Sequence, residues 1–237
     1  MQSISLKTAF IALTFTATST LGGGFLAGCS KIPSNETQAP NTTAVTPASN
    51  QEKIVENSGM GGMAGMNHSV SMNLYPADAN YDLRFIDAMI QHHQGAVNMA
   101  KDVLNKSQRP ETKKLAGEII KAQEKEINQM QKWRTAWYPK ASITPMAYHT
   151  KMGDQAMTSE QMNNMMMSMD LGVADAQFDL RFIDAMIPHH EGALVMAKDA
   201  LSKSNRPEMK KLSQDILTSQ QQEINQMKEW RQTWYKK

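Results

Sequence analysis

The sequence predicts an all-α fold, a four-helix bundle built from two copies of one helical hairpin. Three observations carry this. The stretch Asp82-Leu-Arg-Phe-Ile-Asp-Ala-Met-Ile-Gln-His-His-Gln-Gly-Ala-Val-Asn-Met99 returns as Asp179-Leu-Arg-Phe-Ile-Asp-Ala-Met-Ile-Pro-His-His-Glu-Gly-Ala-Leu-Val-Met196, at a constant offset of 97 residues, and 17 of 21 positions are identical between 82–102 and 179–199. Each copy holds two long segments with apolar residues at helical spacing, joined at Ser107-Gln-Arg-Pro110 or Ser204-Asn-Arg-Pro207. No strand-like alternation competes with them. Two equivalent hairpins bury their apolar faces most simply against each other, with approximate two-fold symmetry.

Residues 1–28 read as a signal peptide, with Lys7 before an apolar run from about Ala9 to Leu26. The ending Leu26-Ala-Gly-Cys29 resembles the lipobox of bacterial lipoproteins, which implies lipidation of Cys29 and attachment to a membrane after export, without fixing which membrane. Cys29 is the one cysteine, so no internal disulfide forms. Residues 29–58, rich in Ser, Thr, Asn, Pro and Gln, lack the apolar surface to order themselves and read as a tether.

Residues 59–74 form a Met- and His-rich segment in which Gly disfavours helix: Met60, Met63, Met66, His68 and then Met72. Methionine is a costly choice for a solvated linker, being apolar and oxidisable, and its soft thioether selects Cu(I). The bland alternative is a flexible low-complexity tail.

The first hairpin occupies 75–139. Its first helix is expected over about 78–106, with Asp78 as cap, and its second over about 110–137, with Pro110 at the first helical position and Glu111 in the first turn. Gly95 costs about 1 kcal/mol against Ala in mid-helix, so its place beside His92 suggests the close approach of a backbone or a ligand. Residues 140–174 are a Met-dense connection. Met146 and His149 repeat the Met-x-x-His spacing, and Thr158-Ser-Glu-Gln161 reads as a capping box opening a short helix that carries Met162, Met165, Met166, Met167 and Met169. The second hairpin occupies 175–237, with helices over about 174–203 and from Pro207 to about Tyr235. Pro188 stands where the first copy has Gln91 and is expected to kink its helix just before His189. All four Trp, at 133, 137, 230 and 234, fall at repeat-equivalent positions, as expected of packing at a bundle end.

The candidate site follows from one helical face. Met89, His92, His93 and Met99 share it in the first copy, and Met186, His189, His190 and Met196 in the second. Buried imidazoles need hydrogen-bond or metal partners. Di-iron bundles hold their metal through Glu and Glu-x-x-His, whereas here a methionine stands three residues before the histidine, twice. A hard oxygen site thereby becomes a soft sulfur–nitrogen one, which points to copper, most simply Cu(I), with Ag(I) expected to follow. His-dependent binding is expected to weaken as pH drops through about 6.5. Asp87 and Asp184 are weaker candidates for orienting an imidazole. The folded part has no cysteine for a Cys-type zinc site, no P-loop or dinucleotide motif occurs, and a net charge of +2 mixed along helix faces offers no nucleic-acid patch.

The signature Phe-Ile-Asp-Ala-Met-Ile-(Gln/Pro)-His-His-(Gln/Glu)-Gly-Ala-x-x-Met-Ala, at 85–100 and 182–197, resembles that of the ferritin-like bacterial family catalogued as domain of unknown function 305. The likeness spans about residues 75–237. It implies secretion, a ferritin-like four-helix bundle and envelope copper binding, because a copper-binding member of that family is also exported and rich in Met and His. Its His pair carries over onto His92–His93 and His189–His190. Its Met positions carry over onto Met89, Met99, Met186 and Met196. Gln91 departs from the usual Pro.

Three functions compete. One is an envelope lipoprotein of the periplasm that captures or buffers Cu(I), contributing to copper tolerance or trafficking. Another is a metal-free structural or interaction module whose His pairs only hydrogen-bond in the core. The third is a metal-dependent oxidase. Repeated Met-x-x-His and the Met-rich segments favour the first, and thioether ligation weighs against turnover, so no enzyme activity is expected.

Overall fold

A computed structural model describes residues 72–237. The signal-peptide, lipidation and tether assignments, and Met60, Met63, Met66 and His68, lie outside the described residues. The element order is α1 (Tyr81–Lys106), α2 (Pro110–Trp137), β1 (Met146–His149), β2 (Gly153–Ala156), α3 (Ser159–Met166), α4 (Phe178–Lys203) and α5 (Pro207–Tyr235). The four long helices form two hairpins, α1 with α2 and α4 with α5, and the hairpins meet through α1 and α4. The all-α bundle expected from the repeat, ferritin-like as the family resemblance implies, is the fold.

The helix ends follow local chemistry. Pro110 and Pro207 open α2 and α5, with Glu111 and Glu208 in the first turns, where the positive end of the helix dipole favours them. Thr158 makes the capping box with Gln161: its side chain accepts from the Gln161 backbone N–H, and the Gln161 side chain accepts from the Thr158 N–H. α4 runs unbroken through Pro188.

α1 and α4 start about a turn later than expected, and the reason is the same in both copies. Asp78 is bound to the Arg84 guanidinium at 2.9 Å, and Asp175 to Arg181 at 2.9 Å, so neither aspartate caps a helix. Each arginine also donates to the strap before its helix, Arg84 to the Leu74 and Pro76 carbonyls and Arg181 to those of Leu171 and Val173.

A second difference is the antiparallel β-hairpin, with Met146 opposite Ala156 and His149 opposite Gly153. Its sequence does not alternate like a half-buried strand. Tertiary docking holds it instead: Asp154 accepts from Arg84 at 2.6 Å and from Asn80 at 2.7 Å, and the Met146 backbone N–H donates to Asp87 at 2.8 Å.

The hairpins are related by an approximate two-fold axis. The Arg109 guanidinium lies 4.4 Å from the Trp234 ring and Arg206 lies 4.2 Å from Trp137. The same arginines pair with Asp179 at 3.7 Å and Asp82 at 3.3 Å. Trp133 stacks on Trp137 at 5.0 Å and Trp230 on Trp234 at 4.7 Å. The core divides into two clusters. One joins Phe85 and Met89 of α1 to Met196 and Ala200 of α4, and the other joins Met99 and Val103 of α1 to Phe182 and Met186 of α4. On α1 the His pair sits in the chain between Met89 of one cluster and Ala96 of the other, and on α4 between Ile187 and Ala193. Among the described residues no helix is long and apolar enough to cross a membrane.

Candidate metal centre

α1 and α4 bring the His92 and His189 rings together, tilted by 52°, where the two helices meet. Their ring centroids are 3.8 Å apart and both side chains are fully buried. Glycine makes this approach possible. A Cβ on Gly192 would stand 3.2 Å from His92 Nε2, and one on Gly95 would stand 3.2 Å from His189 Nε2. Each imidazole therefore rests over the glycine of the opposite repeat.

Beyond that, the two sides differ. His189 Nε2 lies 3.1 Å from the Met166 carbonyl oxygen, to which it donates. That carbonyl, at the end of α3, presses so closely on Gly95 that a Cβ there would collide with it. The close backbone approach suspected from Gly95 is this one. Both ring nitrogens of His92 are buried without a hydrogen-bond partner among the described residues. Around Gly192, beside His92 Nε2, stand the Met72 methyl carbon and the Met167 sulfur, 3.4 Å and 3.6 Å from the position a Cβ would take.

His93 and His190 turn toward their own hairpins. His93 Nε2 meets Glu126 at 2.7 Å and His190 Nε2 meets Glu223 at 2.6 Å, each fixing a helix to its hairpin mate. Asp87 accepts from Arg134, with Nη2 to Oδ2 at 3.1 Å, and Asp184 pairs with Arg231 at 2.9 Å. Both aspartates are thus committed to arginines and orient no imidazole.

Burial pushes the His92 imidazole well below its usual 6.5, with the His189 charge the next contribution. His189 is pushed down to about 3, by burial first and then by His190. Both rings are neutral at physiological pH, the state in which imidazole ligates a metal. The weakening of binding expected near pH 6.5 is therefore displaced downward for this pair, because a desolvated ring resists protonation. Among the described residues no three His, Asp, Glu or Cys side chains cluster in a way that could hold a metal ion. The side chains at this centre other than the imidazoles that could ligate a metal are thioethers, Met72 and Met167 beside Gly192.

The structure brings together only some of the residues singled out from the sequence. Met89 and Met196 pack in one core cluster, Met99 and Met186 in the other. Ten residues of α1 separate Met89 from Met99, about 15 Å along the axis, so the two do not reach one ion. Met146 and His149 lie on β1, where His149 is exposed and its Nδ1 accepts from the Lys151 backbone at 3.3 Å. The sequence reading missed the Glu126 and Glu223 partners. Their signal was a carboxylate in a largely apolar stripe, repeated at the offset of 97. It also left Met72 and Met167 among the Met-rich segments rather than at the His pair.

The family model for Domain of unknown function (DUF305) matches residues 33–134 and 82–231. The chain belongs to this family. Among solved structures, DUF305 architecture is shared with CopM. CopM in the Cu(I)-bound form is 40% identical, with a TM-score of 0.51, over 65% of this chain and 97% of that one. In the Cu(II)-bound form the values are 43% and 0.52, with the same coverage. The Ag-bound form obtained by soaking gives 38% and 0.52. A curated relative, Uncharacterized protein L153 of Acanthamoeba polyphaga mimivirus, is 43% identical over 49 residues, 21% of this chain and 32% of that protein. The chain thus spans about a third of that relative's length.

Proposed function

We propose that this DUF305 protein captures or buffers copper as Cu(I), and takes Ag(I) similarly, through Met and His ligands at the α1–α4 interface. The observation that carries the reading is the His92–His189 pair, two neutral imidazoles wholly buried 3.8 Å apart, one of them without a protein partner among the described residues. A buried polar ring left unpaired is costly, and a bound ion removes that cost. Thioethers beside it make the site soft, and Cu(I) accepts two to four such ligands without a rigid geometry. CopM, at about 40% identity over nearly its whole length, has been solved with Cu(I), Cu(II) and silver, and that likeness supports copper as the cargo.

Met89 and Met186, one turn before the histidines, belong to the thioether surroundings in this reading. His93 and His190 hold the helices through Glu126 and Glu223. Met99, Met196, Met146 and His149 are secondary positions, and Met60, Met63, Met66 and His68 form a separate capture segment. The protein is exported and anchored through lipid on Cys29. It binds and does not turn over, since soft ligands hold copper in one oxidation state.

The test is a Cu(I) titration against a chelator of known affinity, comparing His92→Ala/His189→Ala with the unaltered chain. Tight binding that the double change abolishes supports the reading, and binding unaltered by it rejects this centre. Deleting residues 59–68 should lower the number of Cu(I) bound and leave the bundle's melting unchanged.

A further inference from the structure

The two halves of the duplicated centre are not equivalent, and the difference concerns which side chains would hold the ion. His189 has its Nε2 engaged by the Met166 carbonyl at 3.1 Å, and both nitrogens of His92 lack a partner among the described residues. The repeat-equivalent straps obey the two-fold up to this point. Leu74 and Leu171 both accept from an arginine Nε, and Tyr75 and Gly172 both adopt positive φ, at 60° and 74°. Two residues earlier the equivalence fails. Met72 is 1% exposed and lies against the Gly192 side of His92, whereas its counterpart Met169 is 41% exposed.

What breaks the symmetry is α3, whose end delivers two consecutive groups to the two histidines. Met167 takes a left-handed conformation with φ 45°, rare for a side chain of this size. The turn sets the Met166 carbonyl on Gly95 and His189, and the Met167 sulfur beside Gly192 and His92. One imidazole receives a hydrogen-bond acceptor and the other receives a thioether.

We infer that the centre holds a single soft ion on one side only, with His92, Met72 and Met167 as its ligands, and that His189 serves as a positioning residue locked by the Met166 carbonyl. This rests on the copper reading above and deepens it. The convergence at Gly192 supports it: His92 Nε2, the Met72 methyl and the Met167 sulfur all lie within 3.6 Å of the space a Cβ would occupy, and a glycine keeps that space free. One nitrogen and two thioethers form a three-coordinate set that suits Cu(I) or Ag(I). Neither methionine belongs to the repeated His-His signature. The duplication thus supplies the scaffold, and the segments outside it supply the sulfur.

The experiment is nitrogen NMR of the full chain labelled with 15N-histidine and titrated with Cu(I) under a competing chelator, together with Met72→Leu, Met167→Leu and, as control, Met169→Leu. Leucine keeps the volume, and thermal melting confirms that each variant folds. With the first tightly bound equivalent, the His92 nitrogens should shift as ligands do while His189 Nε2 keeps its proton. Met72→Leu and Met167→Leu should each weaken that event by about tenfold or more, a loss typical of disturbed metal surroundings, with Met169→Leu unchanged. If His92 and His189 shift together as ligands, or if the Met72 and Met167 changes are silent while His92 still binds, the one-sided assignment is overturned and copper binding stands. Absence of any tight Cu(I) event at His92 or His189 overturns the copper reading of this centre and the assignment with it.

Discussion

The imidazole of His92 lies 3.8 Å, centroid to centroid, from that of His189, and burial keeps both rings from protonating near neutrality. The metal-free chain should therefore lose stability as pH falls from about 6.5 toward 3. In that window the unfolded histidines bind protons and the folded ones do not, so stability rises with pH, by at most about 1.4 kcal/mol per pH unit for each ring. Thermal melting across pH 7 to 4 checks this, and His92→Gln should flatten the dependence. Cu(I) affinity at His92 should stay level as pH falls through about 6.5, because burial resists protonation of the ring. A drop centred near 6.5 would show that the ring is solvated.

Gly95 and Gly117 are both helical glycines with opposite prospects. A Cβ at Gly95 meets the Met166 carbonyl, while at Gly117 nothing lies within 4 Å. Gly117→Ala should stabilise the protein by about 0.5–1 kcal/mol through helix propensity. Gly95→Ala should destabilise by about 1–3 kcal/mol, the usual range for overpacking, and should loosen α3. Chemical denaturation of the two variants side by side measures both signs.

Glu126 and Glu223 each occupy the Nε2 of a fully buried histidine. Truncating either to Ala strands that imidazole in the core, at a cost of about 1–3 kcal/mol. Gln in place of Glu should recover part of the loss by keeping one acceptor. Denaturation midpoints decide between them, and equal losses for Ala and Gln would mean that charge, not hydrogen bonding, holds the pair.

Arg84 and Arg181 are repeat equivalents in unequal settings. The Arg84 side chain is fully buried and holds Asp78, Asp154 and two strap carbonyls, whereas that of Arg181 is 36% exposed. Arg84→Ala should cost about 1–3 kcal/mol, because it strips the Leu74 and Pro76 carbonyls of their donor while Asp78 and Asp154 keep access to water. Arg181→Ala should cost about 1 kcal/mol or less from its ion pair, as at solvated pairs. Similar melting losses would show that the β-hairpin contributes nothing to the Arg84 clamp.

The sequence revealed the bundle because its helices are long, periodic and written twice, and because Pro110, Pro207 and Thr158 announce their helix starts in local chemistry. It did not reveal the late starts of α1 and α4, since Asp78 looks like a cap until Arg84 folds back on it, and Arg181 holds Asp175 in the same way. The β-hairpin was illegible for a similar reason: Arg84, Asn80 and Asp87 hold it from afar. His92 and His189 were legible as a recurring pair on a buried face. Their partners were not. A helical wheel ranks Met89 and Met99 together because it projects away the axial distance, and it cannot register Met72 or Met167, which reach the centre from outside the repeat.

The approximate two-fold axis between the hairpins has a consequence for ancestry. A chain carrying one hairpin would expose the face that α1 and α4 now cover for each other, and it could bury that face only against a second copy. In such a homodimer the two facing histidines would be identical by symmetry, and any change to one would befall the other. Fusion of two copies into one chain lifted that constraint, so that a single insertion, α3 and its closing turn, could give a carbonyl to one histidine and a thioether to the other. Residues 172–237 made alone test the premise: they should sediment as a dimer, and a stable folded monomer would remove it.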